Sequence, residues 1–411
     1  MKDVYDILKE RGFVEGITDE EGLRRLLESR EITCYIGFDP SAPSLHVGSL
    51  IPIMSLVHMQ RGGHRPIALV GGGTALIGDP SGRKEMRQIL SREEVEKNAL
   101  GLKRQLSTYL HFGEGKALLL NNADWLTRLN YIEFLRDIGK HFSVNRMLSA
   151  ESYRARLETG LNFVEFNYML LQAYDFLHLY REYGCLLQMG GSDQWGNIVA
   201  GVDLIRRMEK GVAYGIVFPL ITTASGEKMG KTAQGTIWLD PDRTSPYEYY
   251  QYWINTDDRD VERFLTLFTL LPMEEVRGYG RLKGADLRQS KEVLAFEATK
   301  ITHGEEEASK AREAARMVFG GEEGTLEAVP TTFLEKERLE RGIAAFELFA
   351  ETGLCGSRGD ARRVILQGGG YVNGRRLKEI DERITEEHLR EGTIILRAGK
   401  KRYHRLVLKE G

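Results

Sequence analysis

Apolar positions along this chain recur with two periods, and each predicts its own elements. Val4, Ile7 and Leu8, then Leu23, Leu26 and Leu27, stand at helical spacing and predict two helices within residues 2–30. Ile32–Phe38 reads as the first strand. His46–Arg61 carries Leu50, Ile53, Met54 and Val57 and reads as a helix. Pro66–Gly71 (PIALVG) and Lys116–Asn121 (KALLLN) are unbroken apolar runs, as parallel strands buried on both faces require. Cys185–Met189 and Ile216–Ile221 supply the fourth and fifth strands. Helices over Ser91–His111, Phe163–Arg181 and Ile198–Met208 lie between them, and residues 124–160 read as a helical insertion. Strands alternating with helices predict an α/β fold with a parallel sheet and right-handed crossovers. Ligands in such sheets gather at the carboxyl ends of the strands, near a switch in strand order. The loops after strands one, two, four and five hold the glycines and polar residues.

After about residue 224 the pattern changes. Pro246–Ala315 is mostly helical, and residues 320–335 (GGEEGTLEAVPTTFLE) are polar and punctuated by Gly and Pro, as a linker is. From Ile343 two short helices precede strand-like GTIILRAGKKRYHRLVL. The expected organisation is an α/β domain over 1–223 with its insertion near 124–160, a helical domain over 224–319, a linker over 320–342 and a small α+β domain over 343–411.

Charge sharpens this division. The chain of 411 residues carries a net charge of −3, yet residues 354–411 hold 14 Lys and Arg against 8 Asp and Glu. A basic tail on an acidic body points to a nucleic-acid contact. The cysteines Cys34, Cys185 and Cys355 are far apart and match no zinc or disulfide spacing, which fits a reducing compartment. The N-terminal stretch lacks an apolar signal core, and no run approaches the ~18 apolar residues of a membrane span. A cytoplasmic protein without a membrane partner is expected.

Candidate chemistry centres on Tyr35–Leu50, YIGFDPSAPSLHVGSL. A strand runs through a turn into a helix whose start carries His46, Gly48 and Ser49. Unpaired N–H groups and a partial positive charge there favour anionic phosphate. About 180 residues later, Lys228–Thr232 (KMGKT) places two lysines three apart in a loop after the fifth strand. FNYMLLQAYDF (166–176) sets Tyr168, Gln172 and Asp175 on one helix face. GGSDQWGN (190–197) follows a buried strand. Taken singly, each has an ordinary reading: His46 a solvated cap, the lysines a solvated loop, Tyr35 a core aromatic, the polar helix face a solvent-exposed one.

Together the two loops resemble the paired signature motifs of class I aminoacyl-tRNA synthetases. YIGFDP, LHVGS, GDPSG, YMLLQAYD, LQMGGSDQWGN, KMGKT and SPYEYYQYWIN, in this order, resemble the bacterial tyrosyl-tRNA synthetase family over nearly the whole chain. The terminal unit resembles that family's S4-like RNA-binding domain. The resemblance implies a Rossmann-like catalytic domain and a tyrosine–tRNA ligase activity, with L-tyrosine, ATP and tRNA(Tyr) as substrates. Tyr35 and Asp175 would grip the phenol hydroxyl. Asp79, Tyr168 and Gln172 would hold the ammonium group, Gln188 would line the same pocket, and Gln194 would approach the carboxylate. Gly37, Asp39, Gly48 and Gly191 would shape the nucleotide site, with Asp193 on the ribose. Ser41 and His46 are candidates for the γ-phosphate. Arg83, Arg87, Lys228, Lys231 and Thr232 are candidates for the leaving pyrophosphate. Mg²⁺ would travel with ATP, with no dedicated metal cage and no tightly bound cofactor. Arg358, Arg362, Arg363, Arg375, Arg376, Lys400, Lys401 and Arg402 would meet tRNA phosphates. The family is homodimeric, and Tyr131–Val144 (YIEFLRDIGKHFSV) is the candidate interface.

This chain departs from the family pattern in three places. Ser49 stands where a second signature histidine is common, Ser41 replaces a common Thr, and KMGKT differs from KMSKS at two positions. Two rival readings bound the assignment. A tryptophan-specific relative would have no use for Tyr35 and Asp175 around an indole. A catalytically silent RNA-binding protein would be expected to have lost His46, Gly48, Asp193, Lys228 or Lys231, and all are present.

Overall fold

The computed structural model describes residues 3–79, 90–149, 153–154, 157, 160–226, 229–232, 235–320, 329–390, 392–399 and 402–409, without the side chains of 231, 232 and 318–320. By internal contact the chain forms two units. The first comprises Met1–Gly230, Trp238–Asp240 and Asp257–Leu282. The second comprises Lys231–Ile237, Pro241–Thr256 and Lys283–Gly411.

The first unit is built on a six-stranded sheet. Its strands are β1 (Gly16–Ile17), β2 (Thr33–Phe38), β3 (Arg65–Val70), β4 (Leu118–Asn121), β5 (Cys185–Gly191) and β6 (Tyr214–Phe218), in the order β1-β6-β5-β2-β3-β4. Five strands run parallel, as the apolar runs require. β1 is an added antiparallel edge of two residues, too short to leave a periodic signal. Pro66–Val70 of β3 are all buried, consistent with a strand covered on both faces. The chain steps outward from β2 to β3 to β4, then returns to the other side of β2 with β5 and β6. The order therefore reverses between β2 and β5, where Tyr35 pairs with Gln188.

Four helices frame that reversal: α1 (Leu50–Arg61), α2 (Arg92–Tyr109), α3 (Phe163–Tyr183) and α4 (Trp195–Glu209). Their ends are written in the sequence. Ser91 with Glu94 and Asn162 with Glu165 form reciprocal capping boxes at the starts of α2 and α3. α3 stops at Gly184, whose φ of 61° takes the left-handed turn that favours glycine. Phe176, Leu177, Leu179 and Leu204 from α3 and α4 join Tyr35, Ile67 and Leu69 of the sheet in one core cluster. Short helices Ala123–Leu126, Tyr131–Asp137 and Val144–Leu148 follow β4. Helices Val261–Phe268 and Met273–Gly280 also belong to this unit, beyond the expected end of the first domain at 223. Arg11 explains part of that attachment. Its buried guanidinium donates to the carbonyls of Thr266, Thr269 and Leu271, the acceptors a helix C-terminus leaves unpaired.

The second unit contains helices α5 (Pro246–Ile254), α6 (Leu287–His303) and α7 (Glu305–Gly320), with Tyr249 and Trp253 fully buried among them. It also contains a five-stranded sheet of β7 (Thr331–Leu334), β8 (Gly370–Val372), β9 (Arg375–Arg376), β10 (Thr393–Ala398) and β11 (Arg402–Leu408), ordered β9-β8-β10-β11-β7. β7 lies within the expected linker, where its Thr-Thr-Phe-Leu pairs in parallel with β11. Ile394, Leu396 and Ala398 of β10 alternate inward against Leu348, Phe349 and Ile365, the period-two pattern of a half-buried strand.

Candidate active site

The reversal between β2 and β5 opens a cavity of about 230 Å³. Tyr35, Asp79, Tyr168, Gln172, Asp175, Gln188 and Gln194 all line it, together with Gly37, Asp39 and Gly191. All seven residues assigned to tyrosine therefore converge, from β2, the loop after β3, α3, β5 and the turn before α4.

The inner end of the cavity is built around a carboxylate. Asp175 on α3 is 2% exposed. Its Oδ2 accepts from Asn122 Nδ2 at 2.9 Å and its Oδ1 accepts from Trp125 Nε1 at 2.7 Å. Burial pushes its pKa up to about 7, and those two donors hold it back from rising further. Tyr35 packs against Phe176 with ring centroids 5.3 Å apart, and its hydroxyl is buried with no partner among the described residues. Burial, then the nearby Asp175 charge, hold its pKa well above the ordinary phenol value, so it is a donor at any physiological pH. Gln188 Oε1 is likewise buried and unpartnered. Buried unpaired polar atoms are costly, and two of them lining one cavity mark where a ligand's polar groups belong.

The middle of the cavity is a network. Asn122 Oδ1 accepts from the Gly73 N–H at 2.7 Å, and Asn122 Nδ2 donates to Thr74 Oγ1 at 3.0 Å. Thr74 donates to Asp39 Oδ1 at 3.1 Å, and Tyr168 donates to Asp39 Oδ2 at 3.4 Å. Gln194 Nε2 donates to Asp79 Oδ2 at 2.7 Å, while Asn197 Nδ2 bridges Gln172 Oε1 at 3.0 Å and Gln194 Oε1 at 3.1 Å. Three acceptor-bearing side chains, Asp79, Gln172 and Gln194, are thus linked in one group. Such a set suits an ammonium ion, which offers only donors.

The turn into α1 is more constrained than the sequence indicates. Val47–Ser49 form a single 3₁₀ turn before α1 begins. His46 caps it, with Nδ1 accepting from the Gly48 N–H at 3.0 Å. In the neutral ring the proton then sits on Nε2, so that nitrogen is the donor toward a ligand. A Cβ on Gly48 would fall 2.6 Å from the His46 ring. Gly230 of KMGKT packs here too: a Cβ there would meet Val47 Cγ2 at 2.7 Å, and its φ of +82° is strained for any other residue. The two signature loops therefore meet at Gly48 and Gly230. Trp238 forms a backbone bridge with His46 and sets its ring edge-on at 6.3 Å. From the other side, α2 grips the loop: Gln105 bonds the Leu45 N–H and the Ser44 hydroxyl, and Asn98 bonds the Pro40 carbonyl.

Ser41, Ser49 and Asp193 lie in these turns, Ser41 and Asp193 exposed and Ser49 half-buried. Arg83, Arg87, Lys228, Lys400 and Lys401 lie outside the described residues, and the backbone of Lys231 and Thr232 forms a two-residue strand. Among the described residues no three His, Cys, Asp or Glu side chains cluster as metal ligands, and no helix is long and apolar enough to cross a membrane.

The basic side chains of the second unit divide into two groups. Arg375 is paired with Glu382, and Arg402 donates to the Leu354 carbonyl. Arg358, Arg362 and Arg363 stand on one helix, α8 (Arg358–Leu366), where Arg358 lies 3.7 Å from Glu347, Arg362 lies over the Phe346 ring at 4.0 Å, and Arg363 lies 3.6 Å from Asp360 with its side chain 73% exposed. Arg376 is exposed.

Sequence reasoning missed Thr74, Asn122, Trp125 and Asn197. Asn122 and Trp125 follow β4, the one parallel strand before β6 whose C-terminal loop carries no glycine. The Asn121-Asn122 pair at that strand's end was the available signal.

A family model for class I tRNA synthetases (W and Y) matches residues 27–320, and one for a tyrosine–tRNA ligase SYY-like C-terminal domain matches 322–406. The tyrosine–tRNA ligase of Desulfatibacillum aliphaticivorans is 60% identical, spanning 99% of both chains. That of Caldanaerobacter subterraneus subsp. tengcongensis is 56% identical over 99% of this chain and 100% of its own. Among solved structures, a C-terminally truncated mitochondrial tyrosyl-tRNA synthetase from Aspergillus nidulans superposes with a TM-score of 0.70 at 31% identity, covering 78% of this chain and 95% of that one. An Archaeoglobus fulgidus tyrosyl-tRNA synthetase complexed with L-tyrosine shares the fold at 18% identity, with a TM-score of 0.57 over 75% of this chain and 100% of that one. The chain belongs to the tyrosine–tRNA ligases of the class I aminoacyl-tRNA synthetases.

Proposed function

We propose that the β2/β5 cavity holds L-tyrosine with its phenol hydroxyl between Tyr35 and Asp175. One observation carries this reading: among the described residues the Tyr35 hydroxyl is buried without a partner in the cavity that Asp175 also lines, and each Asp175 oxygen is held by a single donor. A phenol donates to the carboxylate and accepts from Tyr35. Phenylalanine leaves both unpaired, and an indole cannot accept. The ammonium group then falls among Asp79, Tyr168 and Gln172, and Gln194 approaches the carboxylate.

The substrate carboxylate attacks the α-phosphorus of Mg-ATP. The α–β phosphoanhydride bond breaks, and pyrophosphate leaves from tyrosyl-adenylate. The terminal ribose hydroxyl of tRNA(Tyr) next attacks the adenylate carbonyl and AMP departs. The carboxylate is already a nucleophile, so the protein contributes alignment and charge stabilisation. His46 and Ser41 contact the γ-phosphate. Gly37, Gly48, Ser49, Gly191 and Asp193 line the nucleotide, and Arg83, Arg87, Lys228, Lys231 and Thr232 act on the leaving group. Arg358, Arg362, Arg363 and Arg376 are the foremost phosphate contacts for tRNA. Mg²⁺ arrives with ATP, and the cytoplasm is the place of action.

Exposed Tyr131, Ile132, Leu135 and Val144 support a homodimer through the segment Tyr131–Val144, since apolar side chains this size are rarely left to water in a group. Light scattering that returned monomer alone would remove it. The function itself is tested by tyrosine-dependent ATP–pyrophosphate exchange, with phenylalanine and tryptophan as controls. Exchange with tyrosine alone is expected. Folded protein that exchanges with no amino acid would return the silent RNA-binding reading.

A further inference from the structure

The carboxylate at the inner end of the cavity is only as well placed as the groups that hold it. Asn122 is buried and tied through both ends of its amide, to Gly73 and Thr74 as well as Asp175. Trp125 has no comparable set of polar anchors. Its indole lies on a short helix, Ala123–Leu126, and is half-buried. Its N–H must nonetheless point at Asp175 Oδ1 at 2.7 Å. The indole also packs against the core cluster, but that apolar contact has no direction, so with one hydrogen bond the ring can pivot and the donor direction drifts with it.

The face of the indole supplies the missing constraint. The His178 ring is stacked on Trp125 with centroids 4.2 Å apart and planes inclined by 23°. His178 follows Asp175 by three residues on α3, so both project from one face of the helix. The helix thus presents the carboxylate that accepts the indole N–H and, one turn on, the flat ring against which the indole lies. Tyr174 and Tyr183 flank His178, each with its centroid 6.4 Å away, and limit the positions the imidazole can take. Phe134 closes the row, edge-on to Tyr174 at 5.7 Å.

We infer that His178 is a positioning residue for phenol recognition: its ring holds Trp125 in the plane that aims the indole N–H at Asp175. The inference rests on the reading that Asp175 receives the phenol of the substrate. His178 touches neither substrate nor reacting atoms. Its influence is confined to the amino-acid end of the cavity, because the stack lies on the Trp125 side of Asp175.

The test compares the full-length parent with His178→Ala, His178→Leu and His178→Phe in ATP–pyrophosphate exchange, with tyrosine and phenylalanine varied separately and ATP varied at saturating tyrosine. Stacked aromatic pairs contribute on a scale equivalent to about two- to tenfold in an equilibrium. His178→Ala and His178→Leu are expected to raise KM for tyrosine by about that factor and to lower the tyrosine-over-phenylalanine ratio, with KM for ATP unmoved. His178→Phe, which keeps a flat ring, is expected to restore both. His178→Leu keeps apolar volume without a ring, so it carries the comparison if the alanine variant does not fold. Parent-like KM and discrimination in both His178→Ala and His178→Leu would overturn the inference. So would a His178→Phe variant as defective as His178→Leu, or a KM for ATP that rises in step. A parent that activates no tyrosine would sink the underlying reading instead, which separates the two failures.

Discussion

At the inner end of the β2/β5 cavity, Asp175 is 2% exposed and each of its oxygens has one donor of fixed direction. On α8 of the second unit, Arg363 has a side chain 73% exposed, with Asp360 at 3.6 Å on the same face. In the proposed function each region meets a polar partner. The first would receive it among buried polar groups of fixed direction, so a missing group on the ligand would be penalised. The second keeps its charge in solvent, where a counter-ion replaces an absent phosphate at little cost. One arrangement selects among molecules of similar size. The other attracts any polyanion and leaves selection to shape. The contrast predicts large, solute-specific effects from the cavity and small, salt-dependent effects from the basic helix.

The largest effect should come from the carboxylate. Hydrogen bonds to charged groups are worth about 1.5–3 kcal/mol, so Asp175→Asn should lower kcat/KM for tyrosine by roughly ten- to hundredfold. Phenylalanine, which makes no such bond, should lose far less. The parent should also show a pH dependence that the variant lacks. Burial raises the Asp175 pKa to about 7, so the fraction present as carboxylate grows as pH rises through that value and shrinks as it falls. KM for tyrosine should therefore climb in the parent between about pH 8 and pH 6 and stay flat in Asp175→Asn. A parallel climb in both would place the titration elsewhere. Tyr35→Phe removes a neutral donor in the same cavity and should cost about three- to tenfold in tyrosine-over-phenylalanine discrimination. Unchanged discrimination would take Tyr35 out of the phenol site.

The cavity was legible in the sequence only where its residues sit in loops with a chemical signature. YIGFDP, YMLLQAYD and GGSDQWGN announce themselves by glycines or by polar residues on an apolar helix. Asn122 and Trp125 do so only weakly, because the Asn121-Asn122 pair is all that distinguishes NNADWL from an ordinary strand-to-helix turn. Their role arises from β4 and α3 being brought together, a tertiary fact. Helical spacing placed Tyr168 beside Gln172 and Asp175 correctly, yet it does not say which carboxylate the hydroxyl meets, and that carboxylate is Asp39. The five parallel strands were legible as apolar runs. The two-residue β1 was not, since a strand that short has no period. Charge counting marked the C-terminal unit as basic. It did not separate Arg375 and Arg402, which bond closely to acceptors of the same unit, from Arg358 and Arg363, whose carboxylate neighbours lie 3.7 and 3.6 Å away.

That last separation gives the smallest effect and the sharpest check on the comparison. If the basic helix works through charge in solvent, one arginine there contributes one phosphate contact and little else. Arg363→Gln should weaken tRNA(Tyr) binding modestly and lower the slope of log affinity against log salt by about 0.7–0.9, the value for one contact. The Arg375 guanidinium already has Glu382 and lies close to the His388 ring. Arg375→Gln should leave the salt slope nearly unchanged and instead cost up to about 1 kcal/mol in stability, as loss of a partly exposed ion pair does. Filter binding across a salt series, with denaturant unfolding of each variant, measures both quantities. Equal slopes for the two variants would mean that exposure in the free protein does not decide which arginines meet RNA. The basic face would then have to reorganise on binding, as the cavity's fixed network does not.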